Sequence, residues 1–288
     1  MKNINLISEP WSDYELIDSG DNKKLERFGS YVLIRPETQA VWRPARPEEW
    51  KKAQAEFIWS GGKGAWRKKN IPESWEMRWD DVRFTARLTS FKHTGVFPEQ
   101  EPNWKWIKEK VSKLNKPNVL NLFGYTGIAS IAAAKAGARV THVDASKQSN
   151  NWAKENAALS SVPDGSIRYL LDDALKFTER ETRRNSVYEG IILDPPAFGR
   201  GPKGETWRIE DDLGKLLAAL SKILSPKSGS FFVLNGYAAG YSPQSFLQAA
   251  ESYFPELLKA PESEFGELQI KELDSNRRVP SGIYVRFA

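Results

Sequence analysis

Residues 119–127, with the sequence Val-Leu-Asn-Leu-Phe-Gly-Tyr-Thr-Gly, decide the fold of this chain. The apolar run at positions 119, 120 and 122 is of the kind that a parallel strand buries on both faces. Residues 128–136 follow at once, are rich in strong helix formers and stop at Gly137, so they predict a helix. A strand that turns directly into a helix points backbone N–H groups and the positive helix end at whatever lies above the turn.

The turn and the strand after it predict a nucleotide ligand. Gly124 and Gly127 let the backbone turn tightly and approach a ligand, because neither has a Cβ atom. The next predicted strand, residues 138–144, ends in Asp144, where a nucleotide-binding α/β unit places the acid that holds the ribose hydroxyls. The two glycines alone also fit an ordinary strand–helix turn, and the G-x-G-x-x-G pattern of a dinucleotide site is absent from this turn. Together with Asp144 they favour an adenosine ligand without a pyrophosphate.

The composition excludes several kinds of site. The chain has 288 residues, 42 Lys and Arg against 37 Asp and Glu, and a net charge of +5, which is compatible with a nucleic-acid partner without demanding one. It has no cysteine, which excludes disulfides, thiolate metal sites and a cysteine nucleophile. Its two histidines disfavour a zinc or non-haem iron site. No apolar run fits a signal peptide or a membrane span, so we expect a cytoplasmic protein.

Residues 1–85 predict a small β-rich domain that is rich in tryptophan. Seven of the chain's eleven tryptophans lie there, and residues 14–18, 31–35 and 40–42 are strand-like pieces separated by glycine and proline. Residues 60–69 mix glycine, cations and Trp66, and they fit two hypotheses. One is a solvated loop, and the other is a flexible loop that contacts phosphates and offers a stacking surface.

From residue 118 onward, strands and helices alternate as in a parallel sheet. A helix over residues 103–114 precedes them, and we expect the last two strands to be antiparallel because no helix lies between them. The remaining predicted elements are the helices 147–159, 174–184, 213–224 and 244–253 and the strands 167–171, 188–193, 230–234, 268–273 and 282–287.

Acidic residues stand at the ends of the second, third and fourth predicted strands: Asp144, the pair Asp172 and Asp173, and Asp194. Ligands of an open parallel sheet bind at the carboxyl ends of its strands, near the point where the strand order reverses. One acid at a strand end proves little. Together with the glycine turn after the first strand, these four acids fit a ligand that has a ribose diol, an exocyclic amine and a positively charged centre.

The fourth strand end reads Leu-Asp-Pro-Pro-Ala-Phe-Gly over residues 193–199. Pro195 and Pro196 fix φ and deny a helix, so the backbone leaves the sheet extended and stiff. This stiffness would hold the Asp194 carboxylate beside a reacting centre, with Phe198 offering a ring face to a planar base. A plain proline turn after an edge strand is the alternative, but it does not require an acid and an aromatic residue at these positions.

Residues 194–198 resemble the Asp/Asn-Pro-Pro-aromatic motif of class I S-adenosylmethionine-dependent methyltransferases. Residues 121–127 and residues 94–100, Thr-Gly-Val-Phe-Pro-Glu-Gln, are similar to the family of the large-subunit ribosomal RNA methyltransferase I, and the likeness runs from about residue 84 to the C-terminus. It implies an α/β fold with a seven-stranded, mostly parallel sheet, helices on both faces and one antiparallel strand. It also implies a methyltransferase domain over residues 86–288, with S-adenosyl-L-methionine as cofactor and RNA, ribosomal RNA in particular, as substrate.

The resemblance also implies a set of site residues. The methionine end of the cofactor would lie over residues 123–127, its ribose on Asp144 and its adenine by Asp173, with residues 94–100 closing over it from the side. The implied cofactor-binding residues are Phe97, Gln100, Asn121, Phe123, Gly124, Tyr125, Thr126, Gly127, Asp144, Ala145, Ser146, Asn156, Asp172, Asp173, Ala174 and Asp194. The implied catalytic residues are Asp194, Pro195, Pro196 and Phe198, and no metal is expected.

Two departures from the family narrow the chemistry. Residues 1–85 do not resemble the RNA-binding PUA domain of many members, and residues 235–238, Asn-Gly-Tyr-Ala, offer no cysteine to activate C5 of cytosine. Transfer to an exocyclic amine or a ring nitrogen needs positioning and an acceptor for charge rather than a protein nucleophile. We therefore expect methylation of a nucleobase nitrogen of RNA. The alternatives are a methyltransferase for a small molecule or a protein, and an idle module that binds adenosine and RNA.

Two questions stay open at the level of the sequence. Lys203 and Trp207 lie in a glycine-rich segment, where they either contact the substrate or are plain loop residues. Whether the chain forms a homodimer is the second question.

Overall fold

The computed structural model describes residues 1–60, 63–237, 240–255 and 260–288, with the backbone alone at Ser60 and Lys63. Two predicted features lie partly outside these residues, namely positions 61 and 62 of the basic stretch and position 238 after the fifth strand. In the described residues the strands are β1 (Lys2–Asn3), β2 (Leu6–Ser8), β3 (Tyr14–Gly20), β4 (Lys23–Phe28), β5 (Tyr31–Pro36), β6 (Ala55–Ser60), β7 (Lys63–Lys68), β8 (Ser74–Trp79), β9 (Val82–Arg87), β10 (Asn118–Leu122), β11 (Arg139–Asp144), β12 (Ile167–Leu171), β13 (Gly190–Leu193), β14 (Phe198–Arg200), β15 (Thr206–Arg208), β16 (Phe231–Gly236), β17 (Glu264–Lys271) and β18 (Arg278–Phe287). The helices are α1 (Pro47–Trp50), α2 (Glu101–Ser112), α3 (Ile128–Lys135), α4 (Lys147–Leu159), α5 (Ala174–Arg183), α6 (Ile209–Leu220) and α7 (Pro243–Tyr253), and a 3₁₀ turn covers Pro98–Gln100.

The first of two compact units comprises Met1–Leu6, Pro102–Glu267 and Gly282–Ala288. It contains most of a sheet with the strand order β1-β17-β18-β16-β13-β10-β11-β12. The strands β12, β11, β10, β13 and β16 are parallel, and β18 runs antiparallel to β16. Both β1 and β2 pair with β17, which extends the expected seven strands at one edge. The expected class I α/β sheet with an antiparallel strand is confirmed.

Helices cover both faces of this sheet, because alternate side chains of each parallel strand are apolar on both sides. On β10, Leu120 and Leu122 lie in a core with residues of α5, α6 and α7. Val119 lies in a second core with residues of α2 and α3. Asn121 alternates with the two leucines and therefore points to the α3 side, where Ser130 accepts its hydrogen bond.

The second unit comprises Ile7–Glu101 and Leu268–Ser281 and contains the sheet β3-β4-β5-β6-β7 and the hairpin β8–β9. Its core includes a buried ion pair, in which Arg35 donates two hydrogen bonds of 2.7 Å to the Glu26 carboxylate. Tyr14 donates another to the same carboxylate at 2.8 Å. The expected β-rich character of the N-terminal part is confirmed. The predicted boundary between residues 85 and 86 lies within this unit, and the division into functional domains stays a prediction.

Several local predictions are wrong. Residues 40–42 are not a strand, because the carbonyls of Ala40 and Trp42 accept hydrogen bonds from the turn that joins β3 and β4. Residues 63–68, predicted as part of a loop, form β7, because Phe57 and Trp66 face each other across the β6–β7 hairpin. The glycine-rich segment after residue 198 forms the β14–β15 hairpin. Finally, α6 begins and ends four residues before its predicted bounds, because Leu224 forms a bridge with Tyr188 instead.

Candidate active site

The strand register brings the predicted site residues to one edge of the sheet. Leu122, the last residue of β10, is paired with the penultimate residue of β11 and the last residue of β13. The next residues therefore lie side by side: Phe123 after β10, Asp144 at the end of β11 and Asp194 after β13. Asp172 follows the β12 residue that is paired with Asp144. The strand order reverses between β10 and β13, and this is where an open α/β sheet binds its ligand.

The turn after β10 has a strained backbone. Phe123, Tyr125 and Gly127 have positive φ angles of 55°, 48° and 82°. Such angles cost energy in non-glycine residues and cluster at ligand sites, where the surrounding structure must hold them. Here Gly124 N donates to the Val143 carbonyl at 3.2 Å, and Gly127 N donates to the Gly124 carbonyl at 3.0 Å. No side chain caps the start of α3, which leaves the positive end of this helix available to an anionic group.

A buried polar chain packs against this turn. A Cβ atom on Gly124 would lie 2.3 Å from Cε1 of His142, so only glycine fits beside this imidazole. Nδ1 of His142 lies 2.9 Å from Ser130 Oγ, which accepts a hydrogen bond of 2.8 Å from Asn121 Nδ2. Burial lowers the pKa of His142 to about 3, so the ring is neutral at physiological pH. Asn121 thus supports the turn through its side chain, and its contact with the cofactor stays a prediction.

Asp144 is held by the backbone in a way that suits a diol. Its Oδ2 accepts a hydrogen bond from Tyr125 N, and its Oδ1 accepts one from Ser146 N, both at 2.8 Å. Each carboxylate oxygen has two lone pairs, so each retains an acceptor position for a hydroxyl group. Burial raises the pKa of the Asp144 carboxyl above its ordinary value, and the two backbone N–H groups partly offset this shift. These free acceptor positions fit the ribose hydroxyls of an adenosine cofactor.

The acids after β12 are engaged by protein groups. Asp173 is the N-cap of α5, and its Oδ1 accepts a hydrogen bond from Lys176 N at 2.9 Å. Asp172 accepts one from Asp173 N at 2.9 Å and forms an ion pair with Arg180. Each carboxylate has lone pairs beyond these bonds, so the predicted contact of Asp173 with adenine is compatible with its capping role.

The helix α4 holds the turn from another side. Asn156 is fully buried, and its Nδ2 donates to the Thr126 carbonyl at 2.9 Å. Ser146 caps α4 by accepting a hydrogen bond of 3.1 Å from Ser149 N. The other predicted contacts from this region, whose roles stay predictions, are Ala145, Ser146, Asn156 and Ala174.

Trp207 fixes the segment after β13. This tryptophan is buried, and its Nε1 donates to the Pro196 carbonyl at 2.7 Å. Its ring packs against Phe123 of the neighbouring turn, with the ring centroids 4.9 Å apart. Pro195 is buried, whereas Phe198 is 53% exposed. The Asp-Pro-Pro segment is therefore attached both to the β14–β15 hairpin and to the turn after β10.

Three large apolar side chains on segments that end or follow strands of the parallel sheet are exposed. Leu171 ends β12, Phe198 begins β14 in the segment after β13, and Tyr237 follows β16. Isolated exposed apolar residues are ordinary, but several at the carboxyl ends of parallel strands suit the binding of a planar, partly apolar acceptor. Lys203 is exposed at the tip of the hairpin.

Phe97 and Gln100 belong to the second unit. Phe97 precedes the 3₁₀ turn, and Gln100 is buried at its end. The Phe97 ring lies 5.1 Å from that of His93, and burial lowers the pKa of His93 to about 4. The contact of Phe97 and Gln100 with the cofactor stays a prediction.

Sequence patterns did not identify the residues that support the site. From the sequence, Trp207 fits either a substrate contact or a plain loop residue. The structure instead places it in β15, where its side chain is buried. Ser130 and His142 were not singled out at all. A signal for them exists, because Asn121 and His142 are polar residues at paired positions of two buried strands, and Ser130 interrupts an alanine-rich helix.

Two further observations concern the part of the chain that the structure describes. No helix there is long and apolar enough to cross a membrane. No group of three or more His, Cys, Asp or Glu side chains there is arranged to hold a metal ion.

Comparisons with known proteins agree with this geometry. A family model described as S-adenosylmethionine-dependent methyltransferase matches residues 59–267. A solved structure, the S-adenosylmethionine-dependent methyltransferase from Agrobacterium tumefaciens, is 41% identical, with a TM-score of 0.91 over 99% of this chain and 93% of that chain.

Curated relatives match a shorter region. The ribosomal RNA large subunit methyltransferase K/L of Shewanella frigidimarina is 36% identical over 156 residues, and that of Pseudoalteromonas translucida is 34% identical over 156 residues. Each match covers 54% of this chain and 21% of the relative, so the chain spans about a fifth of the length of these proteins. The expected enzyme class and cofactor are confirmed: the chain belongs to the S-adenosylmethionine-dependent methyltransferases and uses S-adenosylmethionine.

Proposed function

We propose that this methyltransferase acts on RNA, with ribosomal RNA as the favoured acceptor, and methylates a nitrogen of a nucleobase. The names of the curated relatives support RNA as the substrate class and do not favour a small-molecule or protein acceptor or an idle module. The net charge of +5 is compatible with a polyanionic substrate. Action on ribosomal RNA implies a cytoplasmic enzyme, and a homodimer stays a prediction.

The observation that best supports this chemistry is the stiff segment 194–198 beside the turn 123–127. Trp207 holds the carbonyl of Pro196, and Pro195 is buried, so Asp194 is held at the end of β13. There its carboxylate accepts a hydrogen bond from an amine or ring N–H of the acceptor and keeps the nitrogen lone pair correctly directed. The bound cofactor supplies an electrophilic methyl group at its sulfonium centre.

Phe198 and the amino-acid composition narrow the acceptor further. The exposed Phe198 ring offers a face on which a base that has left its stack can lie. Methylation of C5 of cytosine requires a cysteine nucleophile in this enzyme class, and the chain has none. A nitrogen acceptor already has the lone pair that the reaction needs.

The cofactor roles of individual residues belong to the same proposal. The backbone of residues 123–127 and the start of α3 face the methionine end, and Asp144 accepts hydrogen bonds from the ribose hydroxyls. Asp173 accepts a hydrogen bond from the adenine amine, and Ala174 follows it at the start of α5. Phe97 and Gln100 cover the cofactor from the side.

The experiment incubates the purified chain with S-adenosylmethionine carrying a labelled methyl group and with bulk ribosomal RNA from cells that lack the gene. We expect label in RNA, and nucleoside mass spectrometry should identify an N-methylated base. RNA from cells that contain the gene is the matched control, because its sites are already modified and should accept little label.

Other outcomes would overturn the proposal. Label in 5-methylcytidine would contradict the nitrogen acceptor. Label that appears only when a protein or small-molecule extract replaces the RNA would contradict the RNA substrate. Absence of transfer to any of these acceptors, together with normal cofactor binding, would favour the idle module.

A further inference from the structure

The β6–β7 hairpin and the turn at residues 89–93, both in the second unit, expose two aromatic rings. Trp59 is 63% exposed and Phe91 is 66% exposed. Burial of an aromatic ring stabilises a fold, so the exposure of these two rings forgoes a stabilising term. We call the surface formed by Trp59, Trp66, Lys68 and Phe91 the hairpin face.

The strand register builds one half of the hairpin face. Trp59 is paired with Gly64 and Phe57 with Trp66, so Phe57, Trp59 and Trp66 lie on the same side of the hairpin. The buried Phe57 ring meets Trp59 edge to face at 5.4 Å and Trp66 at 5.3 Å. A Cβ atom on Gly64 would lie 2.2 Å from Phe57 Cζ, so glycine is needed for this packing. Phe57 therefore supports the Trp59 indole, most of which is in contact with solvent.

Hydrogen bonds attach the other half. The Trp66 Nε1 donates to the carbonyl of Thr89 at 2.8 Å and to that of Phe91 at 3.2 Å. Thr89 Oγ1 donates to the His93 carbonyl at 2.8 Å and accepts from Phe91 N at 3.2 Å. The backbone that bears the Phe91 ring is thus held against β7, while the ring itself is exposed.

The charge around the hairpin face is positive. Residues 57–70 contain four lysines and arginines and no acid, and residues 84–98 contain two and no acid. Lys68 is two residues after Trp66 on β7, so the two side chains share the hairpin face, and Lys68 is exposed. Arg67 points to the opposite side, where it forms an ion pair with Glu56. The hairpin face therefore combines aromatic rings and cations without an acid from either segment.

We propose that the hairpin face binds single-stranded RNA, with bases stacked on Trp59 and Phe91 and a phosphate contacted by Lys68. Exposed aromatic rings next to cations are the features by which proteins hold unpaired strands, since every base has a flat face and every phosphate a charge. This inference rests on the proposed RNA substrate, and it assigns to the second unit the task of holding RNA outside the reacting base.

The test measures binding of a short, unstructured, fluorescein-labelled oligouridine to the full chain by anisotropy, at several salt concentrations between about 50 and 200 mM. The aromatic arm compares Trp59→Ala and Phe91→Ala with Trp59→Phe, and Val41→Ala is the matched control because Val41 is also exposed in this unit. The charge arm compares Lys68→Ala with Lys51→Ala, because Lys51 is an exposed lysine at the end of α1. Binding of S-adenosylhomocysteine by calorimetry checks that each variant is folded.

The two arms have different expected signatures. Trp59→Ala and Phe91→Ala should each weaken binding roughly tenfold, Trp59→Phe should retain most of the affinity, and none should change the salt dependence. The Lys68→Ala variant should lower the slope of log affinity against log salt by about 0.7, because each phosphate contact on a single strand contributes about that amount. The control variants should bind as the unmodified chain does.

Wild-type affinity in both Trp59→Ala and Phe91→Ala would overturn the proposal, and so would equal effects of Lys68→Ala and Lys51→Ala on the salt dependence. These outcomes are separable from a failure of the proposed function. If the chain methylates RNA while Trp59→Ala leaves oligonucleotide binding unchanged, the hairpin face is wrong and the function stands. If the chain methylates only a small molecule or a protein yet binds the oligonucleotide through Trp59, the function is wrong and the hairpin face stands.

Discussion

Replacement of Asp144 by alanine should weaken the binding of S-adenosylmethionine and S-adenosylhomocysteine by about 1–3 kcal/mol. The reason is that Asp144 is fixed by two backbone N–H groups and, in the proposed site, accepts hydrogen bonds from the ribose hydroxyls, which the variant would leave without partners. Isothermal calorimetry with S-adenosylhomocysteine measures this loss directly.

The control for this prediction is Asp164→Ala, because Asp164 is an exposed acid in the loop before β12. It should bind the cofactor as the unmodified chain does. Unchanged affinity in Asp144→Ala, or tighter binding of NAD than of S-adenosylmethionine to the unmodified chain, would contradict the assignment of this turn.

Asp194→Asn should lower kcat on the order of 100-fold and weaken cofactor binding much less. The substitution keeps the size of the side chain and removes the charge that accepts a hydrogen bond from the acceptor N–H. Single-turnover kinetics on the RNA acceptor, combined with calorimetry of cofactor binding, separates the two effects.

Phe198→Ala is the partner experiment, because Phe198 is exposed near Asp194 and should act on the base rather than on the reacting nitrogen. It should chiefly raise KM for the acceptor, by an amount that corresponds to roughly 1–3 kcal/mol of stacking. If Asp194→Asn strongly weakened cofactor binding while kcat at saturating cofactor stayed normal, Asp194 would be a cofactor ligand only.

At the scale of structural elements, the β14–β15 hairpin should affect kcat, because its Trp207 holds the Asp-Pro-Pro segment. In Trp207→Phe the aromatic packing against Phe123 is largely kept, and the hydrogen bond from Nε1 to the Pro196 carbonyl is lost. Because the Asp-Pro-Pro segment is then less well held, we expect kcat to fall about three- to tenfold, with little change in cofactor affinity. Kinetics at saturating cofactor and RNA provide the measurement.

A purely structural role for Trp207 would give a different result. The free energy of unfolding in urea would then decrease while kcat of the folded fraction stayed unchanged. Trp207→Leu serves as a second variant, because it removes both the ring contact and the hydrogen bond and should lower kcat further than Trp207→Phe does.

The parallel strands and their helices could be predicted from the sequence because each is a local pattern. The helix at residues 147–159 and the strand at residues 167–171 have the predicted bounds, since apolar spacing and caps lie within the segment itself. The sequence does not predict the strand β4, because four of the six residues of Lys23–Phe28 are charged. Its Glu26 is buried in contact with Arg35 and Tyr14 of the two neighbouring strands, and the segment Lys23–Phe28 does not contain that information.

The candidate site, too, could be predicted from the sequence only in part. The acids at strand ends and the Asp-Pro-Pro segment were recognisable, because topology alone places the carboxyl ends of parallel strands together. The groups that brace them were not, because they depend on contacts between distant segments. Trp207 lies in a hairpin whose strands have only three residues each, and His142 is identified only when its register with Asn121 is known.

At the scale of the whole molecule, the two histidines should govern part of the response to acid. Burial lowers the pKa of His142 to about 3 and that of His93 to about 4, below the ordinary value of 6.5. Between the lowered pKa of each folded-state histidine and 6.5, the unfolded chain binds protons that the folded chain does not. The free energy of unfolding should therefore fall as the pH drops below 6.5. The fall amounts to at most about 1.4 kcal/mol per pH unit for each histidine. Urea titrations at pH 7 and pH 5 measure it.

The variants His142→Gln and His93→Gln divide this effect between its sources. Each should reduce the difference in unfolding free energy between pH 7 and pH 5, whatever its stability at pH 7. If His142→Gln retained the full difference, the His142 imidazole would have to be protonated at pH 5 in the folded chain. Its assignment as a neutral support of the turn would then be contradicted.

The contact between Gly124 and the imidazole of His142 also has a consequence for how variants of this enzyme can be selected. Because a methyl group on residue 124 would lie 2.3 Å from that ring, a change at 124 is tolerated only when residue 142 becomes smaller. In a library randomised at both positions and screened for methyl transfer, survivors should therefore be correlated: alanine or serine at 124 should occur only with a compact residue at 142. The residues at these two positions, which are eighteen apart in the chain, would then covary among the functional variants.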